Sequence, residues 1–268
     1  MHLLEPEWPA PAAVRAACST REGGVSRGPY ASLNLGDHVG DDAVLVAANR
    51  ERWAAGIGAA PRFLRQVHGT HVVRLGDGAD EAVTETADAC VSTRKGVACT
   101  ILVADCLPVL LCDTRGRAVA AAHAGWRGLA GVASQPGAAG SVSQGILDTV
   151  VHAFADVLDG SPAEAAPGLM AWLGPCIGPQ AFEVGPEVKA AFECGDPAAG
   201  SLFRPHGEGK WLADLPGLAR RRLARLGVTS VHGNDGGPDW CTVGNPSRFF
   251  SYRRDGTCGR FGASIWLA

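Results

Sequence analysis

The sequence predicts an α+β fold built as one domain. Short apolar runs broken by Asp, Gly and Pro fill residues 97–124, a pattern typical of buried strands joined by tight turns. Segments with helical periodicity and capping residues occur before and after these runs. No repeat and no linker interrupts the 268 residues, of which 46% are hydrophobic, enough for a substantial core. We therefore expect residues 1–268 to form a single domain.

The remaining elements follow in chain order. Strands are predicted at 14–20, 62–67, 72–75 (as the partner of 62–67), 88–93, 169–173, 228–232, 249–252 and 261–267. Helices are predicted from Asp41 or Asp42 to about 55, and at 146–158, 186–194 and 214–226, each with Asp, Pro or Gly near one end. Residues 253–256 are predicted to form a turn that exposes its charges.

Composition restricts the class of protein. The formal net charge is −3 and the longest basic run is Arg220 to Arg222, so nucleic-acid binding has no electrostatic basis. No apolar run approaches the roughly 20 residues of a membrane helix, and the N-terminus lacks the pattern of a secretory signal. The nine cysteines form no Cys-x-x-Cys pair, and several lie in apolar strands, as reduced thiols do. These features predict a cytoplasmic protein that binds neither nucleic acid nor membrane.

Three side chains that could bind a metal or act in catalysis lie at the ends of predicted strands. Cys106 and His123 flank the central strands, and His68 ends the strand before Gly69. Each alone is explained by a structural role, but Gly125-Trp126-Arg127-Gly128 directly follows His123 and favours a backbone that approaches a ligand closely. Two imidazoles and one thiolate suit zinc and leave a fourth position open. A Cys–His hydrolase dyad explains the same residues as well.

Several motifs together resemble one known family. They are Ser32-Leu33-Asn34-Leu35, Asn49-Arg50, Gln66-Val67-His68, Ala104-Asp105-Cys106-Leu107-Pro108-Val109, His123-Ala124-Gly125-Trp126-Arg127-Gly128, Gly174-Pro175-Cys176-Ile177-Gly178 and Phe249-Phe250-Ser251-Tyr252-Arg253-Arg254. The chain is similar over most of its length to the purine nucleoside phosphorylase family formerly called multicopper polyphenol oxidase (laccase-like), also known as peptidoglycan editing factor. Residues 132–144 look like a loop insertion relative to that family.

The resemblance implies αββα layers with mixed sheets and a zinc ion held by His68, Cys106 and His123. It also implies phosphorolysis of adenosine, inosine and methylthioadenosine, with adenosine deamination as a side activity. The expected partners are a purine nucleoside and inorganic phosphate. Substrate-binding roles are predicted from position for Asn34, Arg50, Gln66 and Arg127, the two arginines as candidates for phosphate. No oligomeric state is predicted.

Two other functions stay open, an amidase and a non-catalytic interaction protein with a structural zinc, although the open fourth coordination position argues against the latter. The same site could hydrolyse an amide in a nucleotide-linked peptidoglycan precursor, with Cys106 and His123 as nucleophile and base. Copper is a possible adventitious occupant, since copper(II) outcompetes zinc for most nitrogen and sulfur ligands. Multicopper oxidase chemistry is disfavoured, because its copper centres need many imidazoles in His-x-His pairs, whereas this chain has eight histidines and no such pair.

Overall fold

A computed structural model describes residues 3–76, 84–131 and 144–268. The strands are β1 Leu3–Leu4, β2 Val14–Ser19, β3 Ala60–Arg62, β4 Val72–Leu75, β5 Ala89–Ser92, β6 Val97–Val103, β7 Leu107–Asp113, β8 Val119–Ala124, β9 Leu169–Leu173, β10 Glu183–Val184, β11 Phe203–His206, β12 Lys210–Ala213, β13 Ser230–Gly233 and β14 Phe261–Leu267. The α-helices are α1 Ala43–Ile57, α2 Trp126–Ala130, α3 Ile146–Val157, α4 Pro162–Ala165, α5 Pro186–Gly195, α6 Leu215–Leu226 and α7 Tyr252–Asp255. Short 3₁₀ helices lie at Gly28–Tyr30, Ala166–Gly168, Pro197–Leu202 and Pro238–Trp240.

The strands form two large mixed sheets and a small one. One large sheet has the order β1-β2-β14-β6-β3, and the other has the order β13-β9-β7-β8-β5-β4. Most neighbours are antiparallel, but β3 with β6, β4 with β5, and β9 with β13 are parallel. The three-stranded sheet β10-β12-β11 is not paired with either of them, but Val184, Phe203 and Ala213 pack into the core on one face of the six-stranded sheet.

Alternating side chains of β7 show how the layers stack. Leu110 packs into a core shared by the two large sheets, whereas Val109 faces the opposite way, toward the core under α3 and α6. A third core, around Trp53 of α1 and Leu102 of β6, covers the outer face of the five-stranded sheet. Because a strand directs successive side chains to opposite faces, each sheet can bury both. The result is the predicted αββα arrangement of an α+β fold, which is confirmed.

The helix boundaries follow from their caps. The Asp42 carboxylate accepts from the backbone N–H of Val44 and starts α1, and Gly58, in the left-handed region at φ 67°, ends it. Asp214 and Gly227 delimit α6 in the same way. The predicted helices at 146–158, 186–194 and 214–226 are confirmed to within a residue or two. Among the described residues, no helix is long and apolar enough to cross a membrane.

Two strand predictions are wrong. β4 pairs with β5 rather than with the 62–67 segment, of which only Arg62 belongs to a strand, β3. Residues 249–252 form no strand, because the Ser251 hydroxyl caps the single turn α7 by accepting from the N–H of Arg254. The predicted insertion at 132–144 lies outside the described residues, apart from Gln144.

Candidate metal centre

His68, Cys106 and His123 come together at one end of the six-stranded sheet. Cys106 lies in the tight connection between β6 and β7, and His123 pairs with Pro108 across the β7–β8 ladder. His68 is delivered by the loop between β3 and β4. One potential ligand atom from each side chain lies within 4.8 Å of the other two, and the two imidazole rings meet edge to face with centroids 4.7 Å apart.

The buried carboxylate of Asp88 joins these elements. Its oxygens accept from the backbone N–H of His68 at 2.8 Å and of Gly69 at 2.6 Å, and from Nδ1 of His123 at 2.8 Å. The N–H of Val67 is 3.2 Å from both oxygens. Because Nδ1 donates to an ionised carboxylate, the other ring nitrogen, Nε2, is the one that can bind a metal once it has lost its proton.

The backbone around the site has little spare room. His68 adopts φ 61°, in the left-handed region that non-glycine residues rarely occupy, and the three N–H groups bound by Asp88 hold it there. A Cβ at Gly125 would lie 3.0 Å from Cδ2 of His68 and 3.1 Å from Sγ of Cys106. A Cβ at Gly128 would lie 2.7 Å from the carbonyl oxygen of Gly69. Both glycines are therefore needed for α2 to pack against the ligand residues.

The charges at the site favour a thiolate beside an imidazolium. Burial opposes ionisation of Cys106, but His123 and His68 attract and hydrogen-bond its sulfur, so the pKa of the thiol is lowered. Burial also opposes protonation of His123, but Cys106 and Asp88 outweigh it and raise the pKa of the imidazole. Burial would likewise raise the pKa of Asp88, yet the His123 ring and the backbone N–H groups hold that pKa below its usual value.

This donor set fits a divalent transition metal. A thiolate and two imidazoles are borderline-soft ligands, and three protein ligands leave one coordination position for another group. His123 is buried and Cys106 is half-buried, whereas His68 is exposed, so the site opens on one side. Across the described ranges of the chain, this is the group of histidine, cysteine and acidic side chains that could hold a metal ion.

A cavity of about 470 Å³ lies over the three side chains. Its walls are formed by His38, Gln66, Leu102, Val103, Ala104, Asp105, Ile177, Phe182, Tyr252, Arg253 and Arg260, with His68, Cys106 and His123 at one end. Tyr252 is 61% exposed although it is a large aromatic residue, which places its ring at the open side of the cavity. The cavity thus joins metal-binding side chains to aromatic and cationic ones.

Asp105 fixes the turn that carries Cys106. This residue adopts φ 93°, and its buried carboxylate accepts from the Thr242 hydroxyl at 2.5 Å and from the Arg253 backbone N–H at 2.6 Å. Its carbonyl oxygen accepts from the N–H of Ile177 at 2.9 Å. Three distant segments therefore hold one three-residue connection, which sets the position of the Cys106 sulfur.

The predicted substrate-binding residues occupy different places. Gln66 lines the cavity, but its amide exchanges two 2.8 Å hydrogen bonds with the backbone of Leu102 and so ties the His68 loop to β6. Asn34 is fully buried behind the cavity wall. Arg50 is held outside the wall by Asp37 and the Leu35 carbonyl.

Arg127 is also outside the cavity lining. It is exposed, and its guanidinium stacks on the Trp126 ring with Cζ 4.5 Å from the centroid. This stacking is the ordinary behaviour of an arginine beside a tryptophan.

Sequence reasoning misses four residues that line the cavity and one that supports it. His38, Phe182, Arg253 and Arg260 give no spacing signal, because they come from four separate segments that only the fold brings together. Asp88 stands at the start of a predicted strand, and nothing in its surroundings marks it as a support for the site. A signal does exist for Arg253, which lies in one of the motifs shared with the family, although its neighbours predict an exposed turn.

Fold and site together define a class of protein in which two histidines and a cysteine that could hold a metal ion lie against a cavity of about 470 Å³. A family model described as multi-copper polyphenol oxidoreductase laccase matches residues 15–268, and the chain belongs to that family. It is 48% identical over 265 residues to the purine nucleoside phosphorylase PA4543 of Pseudomonas aeruginosa, with 98% of each chain covered. It is 46% identical over 267 residues to the purine nucleoside phosphorylase YfiH of Escherichia coli, covering 99% of this chain and 98% of the relative.

Solved structures agree with this assignment. The crystal structure of Neisseria meningitidis protein NMB0706, described as belonging to family model DUF152, is 44% identical and superposes with a TM-score of 0.82, covering 100% of this chain and 99% of the other. The structure of YlmD from Geobacillus stearothermophilus is 30% identical with a TM-score of 0.80, covering 96% and 92%. The predicted family resemblance is thereby confirmed.

Replacing Asp88 should weaken the metal centre. In Asp88→Asn, an amide NH₂ replaces an oxygen that accepts backbone or imidazole N–H groups, so at least one donor loses its partner. We expect metal affinity to fall about 10- to 100-fold and the free energy of unfolding to fall by about 1–3 kcal/mol. Competition with a chromophoric chelator and denaturant unfolding measure the two effects.

Asp113→Asn is the matched control, because the Asp113 carboxylate is also buried and accepts from backbone N–H groups, those of Arg117 and Ala118, far from the site. It should lose stability while keeping wild-type metal affinity. Equal metal affinities in the two variants would contradict the role assigned to Asp88.

Removing the thiolate should have the largest effect on metal content. The purified wild-type protein should hold about one zinc ion per chain, and Cys106→Ser should lose most of it because a neutral hydroxyl is a poor zinc ligand. Elemental analysis after desalting gives the ratio. His71→Ala, which replaces an exposed histidine three residues from His68, should retain the metal. Wild-type zinc content in Cys106→Ser would remove Cys106 from the ligand set.

Proposed function

We propose that this chain is a zinc-dependent purine nucleoside phosphorylase. It acts on adenosine, inosine and methylthioadenosine, and it deaminates adenosine as a side reaction. The observation that carries the proposal is the cavity in which three metal-binding side chains lie beside aromatic and cationic residues. The names of the relatives, at 46% and 48% identity, support the same reaction.

Zinc is the proposed metal. His68, Cys106 and His123 would hold it, and the borderline softness of this set suits zinc, with copper as an adventitious competitor. When bound, zinc supplies a Lewis acid that polarises an oxygen and stabilises negative charge. Asp88 keeps the His123 ring in the tautomer and orientation that binding requires.

The cavity walls suit the two parts of a nucleoside. The rings of Phe182 and Tyr252 offer apolar faces for a purine. The Asp105 carboxylate accepts one hydrogen bond at each oxygen in the structure, and a carboxylate oxygen can accept a second, so Asp105 can bind ribose hydroxyls or an amino group. Arg253 and Arg260 supply positive charge for an anion.

The proposed reaction exchanges the glycosidic bond for a phosphate ester. A phosphate oxygen forms a bond to the anomeric carbon as the bond from that carbon to the purine nitrogen breaks. The electron pair of the broken bond and a proton go to the purine, so adenosine and phosphate give adenine and ribose 1-phosphate. Charged groups held in place near the ribosyl cation-like transition state would stabilise it, and the exclusion of water would strengthen that effect.

One observation favours a second function. The lowered pKa of Cys106 and the raised pKa of His123 describe the ion pair of a cysteine nucleophile and its base. Such a pair could hydrolyse an amide in a nucleotide-linked peptidoglycan precursor. An amidase, however, needs neither inorganic phosphate nor a purine site, so the products separate the two functions.

Product analysis with and without phosphate tests the proposal. With zinc-loaded protein, adenine release from adenosine should rise and saturate with added phosphate and should yield ribose 1-phosphate, while inosine should form without phosphate. Chromatography quantifies all three products. Phosphorolysis makes phosphate a stoichiometric reactant, so ribose 1-phosphate should equal the sum of adenine and of the hypoxanthine released from any inosine.

His123→Ala should abolish phosphorolysis and deamination together, because one metal centre serves both reactions, and His71→Ala should retain them. Adenine release that ignores phosphate would contradict the phosphorylase. Cleavage of a peptidoglycan-precursor amide without either nucleoside product would favour the amidase.

A further inference from the structure

The buried side chain of Asn34 hydrogen-bonds the two segments that carry the cavity-lining residues His38 and Arg260. Its side-chain oxygen accepts from the backbone N–H of Gly36 at 2.9 Å and of Arg260 at 2.8 Å, and its nitrogen donates to the Gly36 carbonyl at 3.1 Å and to Asp41 at 2.9 Å. One buried amide thus holds both the loop that carries His38 and the segment that carries Arg260. Their positions are set before any ligand arrives.

The loop and the arginine are also in direct contact. A Cβ at Gly36 would lie 2.8 Å from Cγ of Arg260, so only glycine lets the loop pack on the aliphatic part of that side chain. On its other side, the guanidinium carbon of Arg260 is 5.9 Å from the Tyr252 ring centroid. Burial, and next the positive charge of Arg260, lower the pKa of His38. His38 and Arg260 therefore form one wall of the cavity.

The acidic groups near this wall are already engaged. Asp37 lies 3.1 Å from Nη2 of Arg50, and its other oxygen is 3.5 Å from Nδ1 of His38. Arg50 is fixed in turn by the Leu35 carbonyl at 2.9 Å. Asp41 is occupied by Asn34 and by the Ser26 hydroxyl at 2.6 Å. The Arg260 guanidinium donates from Nη1 to the backbone carbonyls of Cys258 and Gly259, at 3.0 Å each. These partners are neutral and Arg50 balances Asp37, so the positive charge of Arg260 stays available to a ligand.

Arg253, which also lines the cavity, lies beside a carboxylate. Arg253 donates from its guanidinium to the Glu183 carbonyl at 2.9 Å, and its backbone N–H binds the Asp105 carboxylate. Asp105 itself lines the cavity. A buried carboxylate repels a second anion and attracts hydroxyl and amino donors. An anion in the cavity is therefore better placed beside Arg260 than beside Arg253.

We propose that His38 and Arg260 form the phosphate subsite of this cavity, and that Arg50 is a positioning residue which keeps Asp37 from neutralising it. This assignment rests on the proposed phosphorolysis. The same chemistry would also fit a phosphate ester carried by a nucleotide, so the test has separate arms for inorganic phosphate and for AMP.

The first test replaces the arginine. In zinc-loaded Arg260→Gln, the KM for phosphate in adenosine phosphorolysis should rise at least about tenfold, with a much smaller change in the KM for adenosine. A ³¹P NMR titration should show the same loss of inorganic phosphate binding without any turnover. Arg204→Gln, which replaces a surface arginine that donates to Gln180 outside the cavity, should match the wild type in both measurements.

The second test asks whether Arg50 acts on the phosphate subsite through Asp37 or only supports the fold. Arg50→Gln should raise the KM for phosphate, because Asp37 is then free to pair with the cations of the wall. Asp37→Asn alone should lower that KM. The double variant should return it toward the wild-type value, whereas damage to the fold by loss of Arg50 would not be repaired by removing Asp37.

Three outcomes have distinct meanings. If the wild type requires phosphate but the KM for phosphate is unchanged in Arg260→Gln, the proposed subsite is wrong. The proposed phosphorylase activity is not contradicted by that result. Binding of AMP that weakens in Arg260→Gln while inorganic phosphate binding persists would assign the anion to a nucleotide and overturn the proposal. A wild type that consumes no phosphate would overturn the phosphorylase itself.

Discussion

The buried carboxylate of Asp88 is the constraint on which the candidate site depends. Its two carboxylate oxygens bind the backbone of the His68 loop, where His68 has a positive φ, and they also orient the ring of His123. Two potential ligands that are far apart in the sequence are thereby placed by a single group. Asp105 does the same for Cys106 from the other side, through Thr242 and Arg253. The positions of these three side chains are therefore properties of the two sheets and their connecting turns.

Local patterns are sufficient to predict much of the fold. The caps Asp42 and Asp214 and the apolar run of β7 act within a few residues, so the sequence predicts them well. The predicted partner of β4 is wrong because pairing is a long-range property, and two short strands close in sequence usually pair as a hairpin. Residues 249–252 carry β-forming side chains, yet the Ser251 cap and the contact of Arg253 with Asp105 favour a helical turn.

The site residues likewise include some that the sequence predicts and others that it does not. His68, Cys106 and His123 can be picked out because thiols and imidazoles at strand ends are chemically conspicuous, and the family motifs contain them. The residues of the cavity wall cannot be identified from the sequence, since His38, Phe182 and Arg260 come together only when the chain has folded. Asn34 and Arg50 are not among the residues that line the described cavity: Asn34 binds the Arg260 backbone and Arg50 pairs with Asp37. Their predicted contact with the substrate stays a prediction. Motif membership therefore marks residues that the site needs without saying whether they touch the ligand.

The way in which His68, Cys106 and His123 are held has a consequence for the life of the protein in a cell. In small zinc domains the metal replaces a hydrophobic core, and the apo chain is unfolded and open to proteases. Here the cores between and outside the sheets are large, and the hydrogen bonds that Asp88 and Asp105 accept shape the turns that carry the ligands. The chain can therefore fold before a metal ion is bound. Under the proposed zinc-dependent reaction, metal supply then sets how many of the folded chains are active.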